Sequence, residues 1–300
     1  MPGLILRGEE ELEQVLVHAA REPRTTAVFC DIDGTISPIA PTPAEAKVPD
    51  HVRAALATLA PRLGLLAFVT GRAVRDGARM VGLKRAVYIG THGLELMDGA
   101  GLVSTTKEAE RYVADVQAVA EKAARASLDR FGIVLENKHV VLAVHYRLAQ
   151  DLEAAQKAIF AAVIRPAREL GLLLTTGKYV VEVRPPLEVS KGSATLELLQ
   201  VTDAPATPSG PPVEPVYRTA LFLGDDVTDV TGFAAVHAWL QARPRSRSGC
   251  AVAAVSEETR DQVKEASDVW VAGVEGVYET LRRLLAATSP TGAPRRRGLS

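Results

Sequence analysis

Residues 26–35, Thr26-Ala27-Val28-Phe29-Cys30-Asp31-Ile32-Asp33-Gly34-Thr35, contain the stretch that decides the fold. The first five form a short apolar run, typical of a parallel strand that helices bury on both faces. The next five are a polar loop. Two further apolar runs end in polar residues in the same way: Leu65–Val69 before Thr70-Gly71-Arg72, and Thr219–Leu223 before Gly224-Asp225-Asp226. This repetition predicts an α/β fold built on a parallel sheet.

The pattern on either side of these runs divides the chain into two domains. For the α/β part we predict helices at 8–21, 50–62, 72–82, 191–200 and 274–286, and strands at 86–89 and 249–255. Between them the pattern changes, with predicted helices at 107–130 and 149–170, one alternating strand at 133–147 and another strand at 179–183. The sequence therefore predicts a Rossmann-like core of residues 1–104 and 186–287, with an inserted α+β cap of residues 105–185. We expect a flexible loop at 203–215 and a disordered tail at 288–300.

Composition and charge exclude several classes of protein. The 300 residues are 47% apolar and 24% charged, which is ordinary for a globular protein. The net charge of −1 argues against a nucleic-acid partner or a membrane surface, which call for basic excess. No apolar run approaches the roughly 20 residues of a membrane span, and neither cysteine lies in a CxxC pair. We predict a soluble, cytoplasmic protein; its oligomeric state is not determined by the sequence, and a monomer is consistent with it.

The polar residues after the strands predict one site, because ligands bind at the carboxyl ends of strands in open parallel sheets. Clustered carboxylates repel each other and favour a hard cation such as Mg²⁺. Asp31 can attack phosphorus to give an aspartyl-phosphate, and Asp33 can protonate the leaving oxygen and then activate water. Thr70 and Lys191 can bind phosphate oxygens. These groups predict a magnesium-dependent phosphatase with Asp31 as its nucleophile.

Four motifs in order resemble those of the haloacid dehalogenase superfamily of phosphatases. They are Asp31-Ile32-Asp33-Gly34-Thr35, Thr70-Gly71-Arg72, Lys191-Gly192 and Gly224-Asp225-Asp226-Val227-Thr228-Asp229. The resemblance implies that Asp31, the backbone carbonyl of Asp33 and Asp225 coordinate Mg²⁺, with Asp226 or Asp229 in support. Taken alone, Asp31 to Gly34 could be a solvated turn, since Asp-Gly is a common turn pair. The other three motifs argue against that interpretation.

Residues 25–275 also resemble the trehalose-6-phosphate phosphatase family. The resemblance rests on His92-Gly93, Glu136-x-Lys138, His145-Tyr146-Arg147 and Lys178-x-x-x-Glu182-Val183-Arg184-Pro185. It implies that the cap closes over a disaccharide. It also implies a set of substrate-binding residues: Gly71, Arg72, His92, Glu136, Lys138, His145, Arg147, Lys178 and Glu182, with His145 supporting its neighbours. The strand pattern agrees, since it places Lys178, Glu182 and Arg184 on one face; a solvated face with cross-strand ion pairs is the alternative.

The chain departs from the family pattern without losing a predicted catalytic group. Ser190 stands where Asn is usual, Val230-Thr231 replaces an acidic pair, and Thr91 stands where Asn is common. Two alternatives to trehalose 6-phosphate hydrolysis stay open. One is a related phosphatase acting on sucrose phosphate or a mannosyl phosphoglycerate. The other is a non-catalytic module that binds a phosphosugar.

Overall fold

A computed structural model describes residues 3–40, 45–177, 179–200 and 216–289. Its strands are β1 Ile5–Arg7, β2 Thr26–Cys30, β3 Leu65–Val69, β4 Val87–Gly90, β5 Glu95–Met97, β6 Val103–Thr105, β7 Val134–Asn137, β8 Leu142–His145, β9 Leu173–Gly177, β10 Val180–Arg184, β11 Thr219–Gly224, β12 Ser248–Val255 and β13 Val269–Ala272. Its helices are α1 Glu9–Arg21, α2 Asp50–Leu59, α3 Val74–Val81, α4 Lys107–Glu110, α5 Val113–Arg125, α6 Leu152–Ile159, α7 Arg165–Glu169, α8 Lys191–Leu199, α9 Val230–Ala242, α10 Asp261–Glu265 and α11 Gly273–Ala287.

The described residues form two compact units. The first takes its residues from Met1–Gly93, Met97–Val103 and Val189–Ser300, and the second from Leu94–Leu96 and Ser104–Glu188. The predicted loop at 203–215, Lys178 and residues 290–300 of the predicted tail lie outside the described residues. No helix of the described part is both long enough and apolar enough to cross a membrane.

The main sheet has the strand order β1-β13-β12-β11-β2-β3-β4-β5-β6. The pairs from β13 through β4 are parallel, and the short β1 is antiparallel to β13. The predicted α/β class with a parallel sheet is confirmed. Strand β2 lies between β11 and β3, so the three strands whose ends carry the predicted site residues are neighbours.

Burial explains why these apolar runs become central strands. Every residue of β2 and of β11 is buried, and Phe29 stacks on Phe222 across the pair at 6.3 Å between ring centroids. Each fully buried large side chain stabilises the fold by about 1.5–3 kcal/mol. Helix α1 buries one apolar stripe that includes Leu12 and Leu16, as its period predicts. The sequence does not predict helix α9, because the helix is apolar on most sides and lacks the polar face that would show a helical period.

The second unit contains an antiparallel sheet in the order β7-β8-β10-β9. The single strand predicted over 133–147 is wrong, because the chain reverses after β7 and returns as β8. Residue His139 has a left-handed φ of 66°, and the backbone N–H of Lys138 donates to the carbonyl of Val141 at 2.8 Å. No Gly or Pro marks this turn, so the alternating pattern runs through it unbroken.

The two long helices predicted in this unit are each interrupted. Residues 107–130 form α4 and α5, and a short 3₁₀ segment, Leu128–Phe131, follows them. In the second, a π-helical segment, Phe160–Ile164, joins α6 to α7. Pro166 follows it and has no N–H to donate to the carbonyl four residues earlier, so a local change of helical register is expected there.

Candidate active site

A buried lysine joins two aspartates at the carboxyl end of β2. The Nζ of Lys191 donates to Oδ1 of Asp31 at 2.7 Å and to Oδ1 of Asp229 at 2.8 Å. At most 6% of any of these three side chains is exposed. The backbone N–H of Asp31 donates to the carbonyl of Leu223 at 2.8 Å, which ties the end of β2 to β11. The sequence prediction that Asp31 and Lys191 lie together is therefore realised as a direct contact.

Asp229 holds Lys191 in place. Its second carboxylate oxygen, Oδ2, accepts hydrogen bonds from the backbone N–H groups of Asp225 and Asp226, each at 3.0 Å. Both oxygens of Asp229 are thus engaged, one by the lysine and one by the loop after β11. We infer that Asp229 orients the lysine and the loop. Asp226, which the sequence predicts as a metal ligand, is exposed.

Residues that depart from the family pattern help to place Lys191 at the start of α8. Ser190 caps this helix, since its hydroxyl accepts from the backbone N–H of Ser193 at 3.1 Å. Thr231 accepts from the backbone N–H of Gly192 at 3.1 Å and donates to the carbonyl of Thr228 at 2.9 Å. Sequence reasoning assigned no role to Thr231, because this contact depends on how α8 packs against α9.

Asp225 lies on the loop after β11 and faces the loop after β2. Its Oδ1 accepts from the hydroxyl of Thr35 at 3.0 Å, a contact for which the sequence gives no signal beyond the motif itself. Gly34 has a left-handed φ of 84°, and a Cβ placed there would lie 2.0 Å from Oδ2 of Asp225. Only glycine allows the two loops to approach this closely.

The carboxylates fit a divalent cation. Oxygen atoms of Asp31, Asp225 and Asp229 lie within 4.8 Å of one another. Burial raises the pKa of Asp31 well above its usual range, against the attraction of Lys191, and burial together with the charge of Asp229 raises the pKa of Asp225 to about 7. Burial acts to lower the pKa of Lys191, but Asp229 and Asp31 outweigh it and raise that pKa. One lysine is thus set against three carboxylates, those of Asp31 and Asp229 buried and that of Asp225 half-buried, and a bound divalent cation would offset the remaining negative charge.

The loop after β3 brings two more predicted residues to this end of the sheet. Thr70 is 1% exposed, and its hydroxyl accepts from the backbone N–H of Arg72 at 3.1 Å. The Arg72 guanidinium donates to both carboxylate oxygens of Asp33, from Nε at 2.6 Å and from Nη2 at 2.7 Å. The sequence predicts both residues for the site but gives no sign that they pair with each other.

His92 contacts the loop after β3 through its backbone and its ring. Thr91 and His92 have left-handed φ values of 51° and 57°, which are uncommon for residues other than glycine, above all for a β-branched residue such as Thr91. The backbone N–H of His92 donates to the carbonyl of Thr70 at 3.0 Å. A Cβ on Gly71 would lie 2.6 Å from the His92 ring, so the ring requires a glycine at that position.

The second unit assembles a separate polar cluster. The Nζ of Lys138 lies 3.2 Å from Oε1 of Glu182 and 3.8 Å from Oε2 of Glu136, and Nε2 of His145 lies 3.0 Å from the same Glu136 oxygen. Strand register explains the grouping, since Glu136 and Glu182 both pair with Ala143 from opposite sides. Only 8% of the Lys138 side chain is exposed. The two glutamates therefore flank the same position of β8.

Two further substrate-binding residues, Arg147 and Lys178, are predicted in this unit. Arg147 is exposed, and its guanidinium carbon lies 5.9 Å from the centroid of the Tyr179 ring. Lys178 lies outside the described residues. Its predicted role therefore stays a prediction.

The fold and the site together define the class. The fold is shared with a haloacid dehalogenase-like hydrolase from Bacteroides thetaiotaomicron, whose crystal structure has a TM-score of 0.52 at 14% identity over 86% of this chain and 99% of that chain. The chain belongs to the trehalose-phosphatase family, whose sequence model matches residues 29–269. The family and the buried acidic group indicate a divalent metal ion at this site.

Individual relatives are similar to a large part of this chain. The trehalose-phosphate phosphatase of Mycobacterium marinum is 36% identical over 215 residues, 70% of this chain and 51% of that protein. An uncharacterized glycosyl hydrolase of Mycobacterium tuberculosis is 34% identical over 213 residues, 71% of this chain and 15% of that protein. The chain thus spans about half of the first relative and a small part of the second. The crystal structure of a trehalose-6-phosphate phosphatase related protein shares the fold, with a TM-score of 0.67 at 21% identity over 86% of this chain and 96% of that chain.

Proposed function

We propose that this chain hydrolyses trehalose 6-phosphate to trehalose and inorganic phosphate. The observation that carries the proposal is the buried contact between Nζ of Lys191 and Oδ1 of Asp31 at 2.7 Å. The carboxylate of Asp225 lies close to that of Asp31, and Asp33 follows Asp31 two residues later in the sequence. A carboxylate that is shielded from water, held in one orientation and paired with a cation is suited to attack phosphorus. Membership of the trehalose-phosphatase family supports the substrate.

Two displacements at phosphorus make up the proposed reaction. Asp31 attacks the phosphoryl group, its carboxylate oxygen bonds to phosphorus, and the bond to the sugar oxygen breaks while Asp33 gives that oxygen a proton. Water then attacks the same phosphorus and loses a proton to Asp33, and the bond to Asp31 breaks to regenerate the carboxylate. Lys191 and Thr70 hold the non-bridging oxygens of the phosphoryl group and offset its charge near Asp31.

Mg²⁺ is the divalent ion that suits this site best. Asp31, Asp225 and the backbone carbonyl of Asp33 would hold it, and all three supply the hard oxygen ligands that it prefers. When bound, it supplies the positive charge that lets an anionic carboxylate and an anionic phosphoryl group approach each other. Asp229 is less suited to be a direct ligand, because Lys191 and two backbone N–H groups already engage its oxygens.

Phosphate release from a panel of sugar phosphates tests the proposed function directly. We expect trehalose 6-phosphate to be preferred over sucrose phosphate and mannosyl phosphoglycerate. We also expect release to stop on treatment with EDTA and to return with added Mg²⁺, because the three carboxylates then lose and regain their counter-ion. A clear preference for another sugar phosphate would reassign the substrate. Binding of trehalose 6-phosphate with no release at any Mg²⁺ concentration would instead favour a non-catalytic binding module.

We propose that the Glu136, Lys138 and Glu182 cluster binds hydroxyls of the sugar. A carboxylate beside a nearly buried ammonium offers an acceptor and a donor at fixed positions, which suits vicinal hydroxyl groups. Arg147 and Lys178 are the further sugar-binding residues that the family resemblance implies.

Replacing one carboxylate of this cluster tests its role. For Glu182→Gln we expect kcat/KM on trehalose 6-phosphate to fall on the order of tenfold to a hundredfold, as for the loss of one charged hydrogen bond. We expect kcat/KM on p-nitrophenyl phosphate, which has no sugar, to stay near that of the wild type. Glu153→Gln is the matched control, because Glu153 pairs with Lys157 at 2.6 Å on an exposed face of the same unit. Equal losses on both substrates would contradict sugar recognition by this cluster.

A further inference from the structure

The pairing of Arg72 with Asp33 is the feature of the site that the proposed reaction does not yet use. Arg72 contacts each carboxylate oxygen of Asp33 with a different nitrogen, at 2.6 and 2.7 Å. The Arg72 side chain is only 17% exposed and that of Asp33 is 37% exposed. Such a two-point contact fixes both the direction and the plane of a carboxylate, which a single hydrogen bond does not.

The backbone of Arg72 is itself held from two sides. Its N–H donates to the Thr70 hydroxyl at 3.1 Å, and its carbonyl accepts from the backbone N–H of Thr91 at 2.8 Å. Thr91 makes that contact from the left-handed region, where a β-branched residue is a rare outlier. Residues in such conformations are strained and persist where the surrounding structure demands them. The loop thus presents the guanidinium from a rigid base.

Asp33 receives comparable support along its own backbone. Asp33 forms an isolated bridge with Ser37, and the N–H of Gly34 donates to the carbonyl of Ser37 at 2.8 Å. The loop after β2 is therefore closed on itself. These backbone contacts do not fix the rotation of the Asp33 side chain. The contact with Arg72 fixes it.

We propose that Arg72 is a positioning residue that acts through Asp33. Its guanidinium holds the Asp33 carboxyl group in the orientation from which Asp33 passes a proton to the leaving oxygen and later takes one from water. The inference rests on the proposed function and adds to it a role for Arg72 other than binding the substrate. Lysine cannot replace arginine in this role, because an ammonium makes no planar two-point contact.

The choice of leaving group separates positioning from binding. The sugar oxygen of trehalose 6-phosphate needs a proton as it leaves, whereas p-nitrophenolate leaves as a stable anion without one. The ratio kcat/KM covers the steps up to the first irreversible bond cleavage, so it reports on the leaving-group step for both substrates. A residue that acts through the proton donor therefore affects only the sugar phosphate.

The experiment compares kcat/KM for both substrates in the wild type, Arg72→Lys, Asp33→Asn and the double variant. For Arg72→Lys we expect a loss on the order of 10²-fold on trehalose 6-phosphate and a change of less than about threefold on p-nitrophenyl phosphate. In the Asp33→Asn background, Arg72→Lys should cause little further loss, since both changes remove the same function. Arg282→Lys is the matched control, because Arg282 contacts both oxygens of Glu279 at 2.8 and 2.7 Å on the exposed side of α11.

Equal losses on the two substrates, or additive losses in the double variant, would overturn the inference, since a group that binds the phosphoryl moiety or merely stabilises the fold serves both substrates alike. Failure of the proposed function has a different appearance. In that case the wild type itself would not release phosphate from trehalose 6-phosphate.

Discussion

Asp31→Asn is expected to abolish phosphate release while the protein stays folded. The amide has nearly the shape of the carboxylate, and its oxygen can still accept from Lys191, but it does not form a bond to phosphorus. Loss of an enzyme's nucleophile lowers kcat by roughly 10⁴-fold or more. Steady-state phosphate release with Mg²⁺ and trehalose 6-phosphate measures the loss of activity. Calorimetric binding of the unreacted substrate shows that the variant keeps an intact binding site.

The same variant should not be less stable than the wild type when no metal is bound. Burial and two neighbouring aspartates raise the pKa of Asp31, which means that its charge is unfavourable where it lies. Removing that charge should leave the melting temperature equal or higher. Asp261→Asn, at an exposed aspartate on α10, is the control for the chemical change alone. Turnover by Asp31→Asn within about tenfold of the wild type would contradict the assignment of the nucleophile.

Lys191→Met is expected to remove activity and much of the stability together. Methionine matches the length of the lysine stem but leaves Asp31 and Asp229 without the cation that both contact. Removing one partner of a buried ion pair typically costs about 3–5 kcal/mol, because the other charges stay buried and unpaired. We expect the midpoint of urea unfolding to fall accordingly and phosphate release to become undetectable.

An exposed lysine provides the matched control for this change. Lys157→Met removes an ion pair with Glu153 at 2.6 Å on the surface of the second unit, where such pairs contribute about 0–1 kcal/mol. If Lys191→Met unfolded at the same urea concentration as this control, the buried pair would not support the fold. If Lys191→Met kept wild-type turnover, Lys191 would have no part in the chemistry.

The sequence alone predicts much of the fold around the site. Each of the runs that become β2, β3 and β11 is almost entirely apolar and is followed at once by polar residues, and this pattern is local and strong. The sequence pattern does not predict helices α9 and α10 or strands β1, β5, β6, β9 and β13. Most of these strands are three or four residues long, and α9 has no polar face, so a local pattern has little to mark them.

The candidate site was predictable in its residues and less so in its contacts. Four motifs identify Asp31, Asp33, Lys191 and Asp225, and the structure brings their elements to one end of the sheet. The contacts of Thr231 with Gly192 and of Arg72 with Asp33 depend on how separate loops and helices pack, over about 40 residues of separation in each case. Residue types at fixed spacings carry no information about such pairings.

The most direct measurement asks which residue carries the phosphoryl group during turnover. The protein is quenched while it hydrolyses trehalose 6-phosphate, the acyl phosphate is reduced with borohydride, and peptide mass spectrometry locates the homoserine that results. Homoserine at position 31 in the wild type, and none in Asp31→Asn, is the expected result. Phosphate release with homoserine at another aspartate, or release with no reduced residue in the quenched protein, would contradict the proposal that Asp31 is the nucleophile.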